Sequence, residues 1–469
     1  MTLRGVALAV CLAAWSPGRA AAPDDLAEGR AQRARRYLVA LTRLDTTNPP
    51  GHETRAAEWL QSVAAREAIP CELAGPSPSR LNFIARLRAA PPASARPLLL
   101  MAHTDVVPAD PRRWTVPPFS AEIRNGFLYG RGTLDDKSLL AAELAVLVEL
   151  KRSGRPLTRD VILLAEADEE AGSTGIQWLV RHAWPRIDAE FALNEGGFAM
   201  DLPSGARLYE IQTAEKVPMP VLLRARGTEA HGSLPRPDNP VLRLSRAIVK
   251  LAEADQPVRL NPTTRRYFTV MARLPEYRWL APMLPRFERP LDAIAAANEI
   301  RDRDPEFDSQ LRTTISPDLF RAGAVFNVIP ALAEAQLDVR RLPNETREEV
   351  IARLRSIVND ELLEILPLPG HNMPATEPSS LSTPLYRAME AVLRAAHPRP
   401  VIVPYMQRGS TDGSWLRQRG LPVYGPPIFT RDEDENRAHA VDERITPASF
   451  DAGVELLQKI VAAVVTSGR

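Results

Sequence analysis

Along this chain short, almost wholly apolar runs alternate with stretches whose apolar residues recur at helical spacing. Spacing of the second kind predicts helices over 26–44, 53–67, 137–151 and 176–182, the first ended by Thr46-Thr47-Asn48-Pro49-Pro50-Gly51. Runs of the first kind predict strands over 97–107, 161–167 and 191–193. Strands alternating with helices indicate an α/β fold, a mixed sheet covered by helices on both faces. In such a sheet ligands gather beyond the carboxyl ends of the strands.

The middle of the chain follows another rhythm. Alternation at 221–225 and 333–339 predicts strands, and the patterns at 240–252 and 347–362 predict helices, which suggests a smaller α+β unit inserted into the first. A stretch rich in Pro and Arg, 261–316, has no assigned role. After Pro367-Leu368-Pro369-Gly370 the α/β pattern returns, with strands expected at 401–403 and 421–424. The expected division is a catalytic unit over 21–214 and 371–469, with a lid over 215–370.

Composition narrows the function classes. The 469 residues are 45% hydrophobic and 25% charged, an ordinary globular balance. A formal net charge of +1 offers no footprint for nucleic acid. At the start, Arg4 precedes an apolar stretch at 5–15 and then Ser16-Pro17-Gly18-Arg19-Ala20-Ala21-Ala22. This reads as a signal peptide over 1–20, cut after Ala20, so that the mature protein is exported to the periplasm or beyond; an uncleaved anchor is the alternative. Cys11 falls inside the removed segment, leaving Cys71 alone. A single thiol makes no internal disulfide and no cysteine-rich metal site, so any metal is held by His and carboxylates.

Those residue types sit where the sheet would use them. The apolar run Leu98-Leu99-Leu100-Met101-Ala102 leads into His103-Thr104-Asp105, where the period of two puts Asp105 beside the His103 ring. By itself His-x-Asp also fits a plain polar strand end. Gly130-Arg131-Gly132-Thr133-Leu134-Asp135-Asp136-Lys137 precedes an apolar helix; helix capping explains one of its two acids but not both. Glu166-Ala167-Asp168-Glu169-Glu170 crowds four acids at the end of a strand, which repel unless cations offset them or solvent surrounds them. Asn194-Glu195 again ends a strand with a carboxylate, and His439 lies in Arg437-Ala438-His439-Ala440-Val441-Asp442-Glu443. His103, Asp135, Glu170, Glu195 and His439 together form an imidazole and carboxylate set that suits a pair of zinc ions about 3.5–4 Å apart.

With these motifs in order, nearly the whole mature chain resembles the aminoacylase, carboxypeptidase G and succinyl-diaminopimelate desuccinylase family of co-catalytic zinc peptidases. The resemblance implies two zinc ions per subunit, one held by His103 and Glu195, the other by Glu170 and His439, with Asp135 bridging. It places Glu169 as general base and Asp105 as the partner of His103. Within Gly227-Thr228-Glu229-Ala230-His231-Gly232-Ser233, His231 matches a lid histidine that helps stabilise the oxyanion and, in dimeric relatives, is donated across the interface. Asn327 and Arg340 match residues that hold the substrate carboxylate, and Ser410 and Thr411 lie in a loop resembling the family's late Gly-rich substrate loop. The resemblance also implies a cis peptide bond between Asp135 and Asp136.

Asn194, where many relatives have an acid, and Asp136, in place of a common Met, depart from the pattern without touching a ligand. Asp135-Asp136-Lys137 and the long insert are most similar to the carboxypeptidase S branch, which includes hydrolases of N-acyl amino acids. The expected activity is therefore hydrolysis of an amide bond next to a free carboxylate, in a small peptide or an N-acyl amino acid, by a homodimer joined through its lid. The alternative from another class is a binding protein that keeps the fold without catalysis.

Overall fold

The apolar runs at 98–102 and 161–165 become neighbouring parallel strands, Leu98–His103 and Val161–Glu166, in which every residue is buried. A strand covered on both faces has no solvated side to alternate toward, so its sequence reads as unbroken Leu, Ile, Val and Ala. The computed structural model describes residues 29–91, 95–368, 373–431 and 437–467; the signal segment expected at 1–20, with Cys11, lies outside them. No helix among the described residues is long and apolar enough to cross a membrane.

Six strands form the main sheet, in the order Cys71–Ser77, Arg80–Leu87, Val161–Glu166, Leu98–His103, Phe191–Leu193 and Val423–Tyr424. The first two pairings are antiparallel and the rest parallel. Alternate residues feed two cores. Leu98, Leu100, Ala102, Leu163 and Ala165 meet the helices Arg30–Thr42, Lys137–Ser153 and Pro447–Val465. Leu99, Met101, Ile162 and Leu164 meet Thr174–His182 and Gly413–Arg417. Lys137–Ser153 packs against the sheet and against both other helices of its layer, so apolar residues occupy nearly all its sides. It ends at Gly154, whose φ of 60° is the left-handed geometry that glycine adopts without strain.

A second sheet carries the inserted unit. Val217–Pro218, Leu332–Arg341, Val221–Arg226 and Leu363–Pro367 lie in that order, and Thr314–Ala322 also pairs with Leu332–Arg341, all antiparallel. Helices Pro240–Glu253 and Arg347–Val358 cover one face. The helical pattern at 347–362 overruns the second of these. Asn359 turns left-handed, φ 46°, and stops the helix, and Leu363 starts a strand.

The Pro- and Arg-rich stretch is helical. Pro262–Met271, Pro290–Arg303 and Pro305–Ser309 each open on proline, which is at ease in a first turn where its missing N–H has no partner to lose. Although it falls within 215–370, this stretch joins the five-stranded sheet at its end, where Ile315 packs on that core, while its helices pack elsewhere. Its Tyr267, Phe268, Met271, Ile300 and Phe307 pack on Leu208, Val403 and Tyr405. Those belong to a three-stranded sheet ordered Pro400–Gln407, Arg207–Glu215 and Phe198–Asp201.

Candidate active site

His103 is the last residue of its strand, and its two ring nitrogens have different work. Nδ1 lies 3.0 Å from the Asp105 main-chain oxygen and 3.5 Å from Asp105 Oδ1, while Nε2 lies 2.9 Å from Asp135 Oδ1. Partners on Nδ1 fix the ring so that Nε2 faces Asp135. From the other side, His439 Nε2 lies 3.2 Å from Asp135 Oδ2 and 3.0 Å from Glu170 Oε1. Asp135 therefore offers one oxygen to each histidine. The peptide bond that follows it is cis, as expected.

Ligand atoms of His103, Asp135 and Glu170 lie within 4.8 Å of one another, and so do those of His103, Glu169 and Glu195. Electrostatics show what this cluster calls for. Burial, then the charge of Glu195, pushes the Glu169 carboxyl well above its usual range, and burial, then Asp135, does the same to Glu195. Burial opposes charge on Asp135 too, but hydrogen bonds from His103 and His439 outweigh it and hold that carboxyl below its usual range. Hydrogen bonds to Asp135 and Glu170 raise His439 to about 10. Carboxylates that close repel unless positive charge offsets them. A set of imidazoles and carboxylates with one shared carboxylate fits two divalent metal ions.

The loop bearing Asp135 is held from far along the chain. Glu443, fully buried, accepts from Arg131 Nη1 at 2.6 Å and from the main-chain N–H of Gly132, Leu134 and Asp135 at 3.0, 2.6 and 3.1 Å. The sequence gives little hint of this role; the sole signal is an acid four residues after His439. Gly132 sits at φ 91°, and a Cβ there would come within 2.8 Å of Lys137 Cδ and 2.9 Å of Val106 Cγ1. Lys137 is buried, donates to the Leu44 main-chain oxygen at 2.8 Å, and is pushed down to about 7 by burial. On the far side of Glu169, the Asp105 carboxylate accepts from the main-chain N–H of both Glu169 and Glu170 at 3.1 Å each.

A cavity of about 700 Å³ opens over these groups. Asp135, Glu169, Glu170, Glu195 and His439 line it, with Arg340, Ser410 and the apolar side chains of Phe127, Phe198, Trp415, Ile428 and Phe429. Arg340 Nε is held by both oxygens of Asp338, at 2.8 and 3.0 Å. Thr411 is behind the wall, buried and donating to Glu215 Oε2 at 2.8 Å. His231 and Asn327 are not among the lining residues. They lie together on an exposed corner, where Gly232 N donates to Asn327 O at 2.7 Å and His231 Nδ1 is 2.7 Å from Ser233 Oγ. Strand geometry explains the separation. Arg340 and Leu332 stand at opposite ends of one strand, eight residues or roughly 26 Å apart, and the His231 corner follows the Leu332 end.

Known proteins resemble the chain in sequence and in fold. Residues 99–463 match the family described as peptidase family M20/M25/M40. The chain is 29% identical over 374 residues to the human (Homo sapiens) N-fatty-acyl-amino acid synthase/hydrolase PM20D1, covering 78% of this chain and 74% of that protein. It is 27% identical over 384 residues to the probable carboxypeptidase S-like 2 of Dictyostelium discoideum, covering 78% and 72%. Among solved structures, the metallo-carboxypeptidase Sso-CP2 from Sulfolobus solfataricus superposes with a TM-score of 0.68 at 20% identity, over 92% of this chain and 99% of that one.

Proposed function

This chain belongs to peptidase family M20/M25/M40, and on that premise we propose that it hydrolyses N-acyl amino acids, cutting the amide bond beside a free carboxylate. The observation that carries the reading is Asp135, whose two oxygens face His103 and His439 separately. Two zinc ions, held by His103, Asp135 and Glu195 and by Asp135, Glu170 and His439, would supply a water of lowered pKa and a Lewis acid for the amide carbonyl.

The chain's own residues do the rest. Glu169, not needed as a ligand, takes the water's proton and returns it to the leaving amine. Asp105 anchors the main chain of Glu169 and fixes the His103 ring. Arg340 holds the substrate carboxylate at the cavity wall beside Ser410. The apolar side chains of Phe127, Phe198, Ile428 and Phe429 suit an acyl chain, and the named activity of the human relative supports this choice of substrate.

His231 and Asn327 take part in this scheme only when a second copy brings them over the cavity. Exposed apolar side chains at Leu234, Val325, Phe326 and Phe320 support a homodimer joined there. Export after cleavage at Ala20 completes the proposal. The test is release of free amino acid from N-acetyl, N-decanoyl and dipeptide substrates by zinc-loaded protein. Turnover that is lost to a chelator, restored by zinc and fastest on N-acyl amino acids is the expected result; no turnover of any of the three by metal-loaded protein overturns it.

A further inference from the structure

Outside the cavity wall, Arg80 joins three groups at the first position of its strand. Its Nη2 donates to Asn48 Oδ1 at 3.0 Å and to the Pro50 main-chain oxygen at 2.6 Å, and its Nη1 makes an ion pair with Asp168. With Oδ1 engaged by Arg80, the Asn48 amide turns its NH2 the other way. Asn48 Nδ2 donates to Asp168 Oδ1 at 2.7 Å and to Asp105 Oδ2 at 2.8 Å. Asp105 then carries the main chain of Glu169 and Glu170 and faces the His103 ring. Asp168, at φ 68°, begins the turn that holds both glutamates, and its carboxylate closes that turn on Thr174.

Charge and space both single out Arg80. Oxygens of Glu53, Asp105 and Asp168 lie within 4.8 Å of one another, all three residues are buried, and the Arg80 guanidinium is the cation paired with one of them. Gly51 keeps the place clear: φ is 81°, and a Cβ would stand 2.6 Å from Arg80 Nη2. Were the guanidinium absent, Asn48 Oδ1 would lose its donor, and a turned amide would aim oxygen at two carboxylates. An unmatched polar group buried in that way is costly, so the relay would rearrange.

We propose that Arg80 is a positioning residue for Glu169 and Glu170, acting through Asn48 and Asp105 to set the proton acceptor and the metal ligand in register. The proposal rests on the roles given above to those two glutamates. Groups that orient metal ligands from behind typically change metal affinity or activity by about 10–100-fold. Arg80→Ala is therefore expected to lower kcat about 10–100-fold with KM nearly unchanged, and to weaken zinc binding about tenfold.

The experiment measures kcat, KM, zinc affinity by chelator competition and thermal midpoint for the parent, Arg80→Ala, Arg80→Lys, Asn48→Ala and the Arg80→Ala/Asn48→Ala double variant. The Arg80 side chain is 20% exposed, so millimolar guanidinium can enter the vacated place. Partial recovery of kcat in Arg80→Ala by guanidinium, with none in the parent, is expected. The double variant should lose no more than the worse single one, because the two residues act in series. Arg80→Lys keeps the charge without the planar fork, and serves as a folded variant with the same kcat defect should Arg80→Ala fail to fold. A folded Arg80 variant with unchanged kcat and zinc affinity would overturn the proposal, as would fully additive losses without guanidinium recovery. A parent without hydrolase activity would instead refute the functional reading, and the zinc affinities would still decide the role of Arg80.

Discussion

Glu443→Gln keeps the shape of a side chain that touches neither the cavity nor a proposed metal ion, yet it should damage both stability and metal binding. In the parent, Oε2 accepts from Arg131 Nη1 and Gly132 N, and Oε1 from Leu134 N and Asp135 N. A glutamine amide has one oxygen and can serve only one of these pairs. If that oxygen stays with Arg131, the part-buried N–H groups of Leu134 and Asp135 face an NH2, at about 1–3 kcal/mol each. If it turns to Leu134 and Asp135, the guanidinium of Arg131, 3% exposed, loses its carboxylate, which costs about 3–5 kcal/mol. The expected loss is therefore about 2–6 kcal/mol by the first route and about 3–5 kcal/mol by the second, a large share of a typical folding free energy of about 5–15 kcal/mol. Urea unfolding of the metal-free protein isolates this term from metal linkage. Because Asp135 N is one of the donors at stake, zinc affinity should also fall about 10–100-fold. A variant within about 1 kcal/mol of the parent with unchanged zinc affinity would show that Glu443 does not organise the loop, and the reasoning would fail.

Further outcomes are expected at the lid, at the metal site and at the mature terminus. His231→Ala should lower kcat about 10²–10³-fold in zinc-loaded, folded protein, and mixing it with Glu169→Gln should restore activity through hybrid dimers that keep one intact site; full activity in His231→Ala, or no recovery on mixing, contradicts the shared site. Zinc loading at pH 8 should release at least about one proton per chain in calorimetry across buffers, because His439, raised to about 10, must give up its proton to act as a ligand. By the same shift, the stabilisation that protonated His439 gives the metal-free protein is fully present below about pH 6.5 and is lost as pH rises through about 10; a metal-free stability that climbs over that range in the parent but not in His439→Gln contradicts it. Mass spectrometry of exported protein should find a mature terminus near Ala21, whereas an intact Met1 on cytoplasmic protein contradicts export.

The features legible in the sequence are those whose chemistry coincides with a local pattern. His103, Glu170 and Glu195 follow apolar strands, so their place on one sheet edge can be read from the order of residues alone. Asp135 and His439 lie on loops, and only the fold shows that they meet. Glu443 and Arg80 have no such pattern. Each acts on main chain or amide groups distant in sequence, Glu443 on a loop more than 300 residues before it, and such contacts leave no periodicity to find. His231 and Asn327 match motifs as residues, but a motif carries no distance, and the length of the Leu332–Arg341 strand keeps them from the cavity. The Pro- and Arg-rich composition of 261–316 points to no element by itself, yet prolines there open the helices that cover the three-stranded sheet.

In the proposed mechanism two adjacent glutamates have different work, one as proton acceptor and one as metal ligand. Glu169→Gln and Glu170→Gln should be purified in parallel, counted for zinc by elemental analysis, and assayed for release of amino acid from the best N-acyl substrate. Glu169→Gln should keep about two ions per chain while turnover falls at least about 10²-fold, because an amide cannot take a proton. Glu170→Gln should lose zinc affinity and activity together, because an anionic ligand has gone. Loss of zinc in Glu169→Gln with retention in Glu170→Gln would exchange the two roles, and full activity in Glu169→Gln would contradict the mechanism outright.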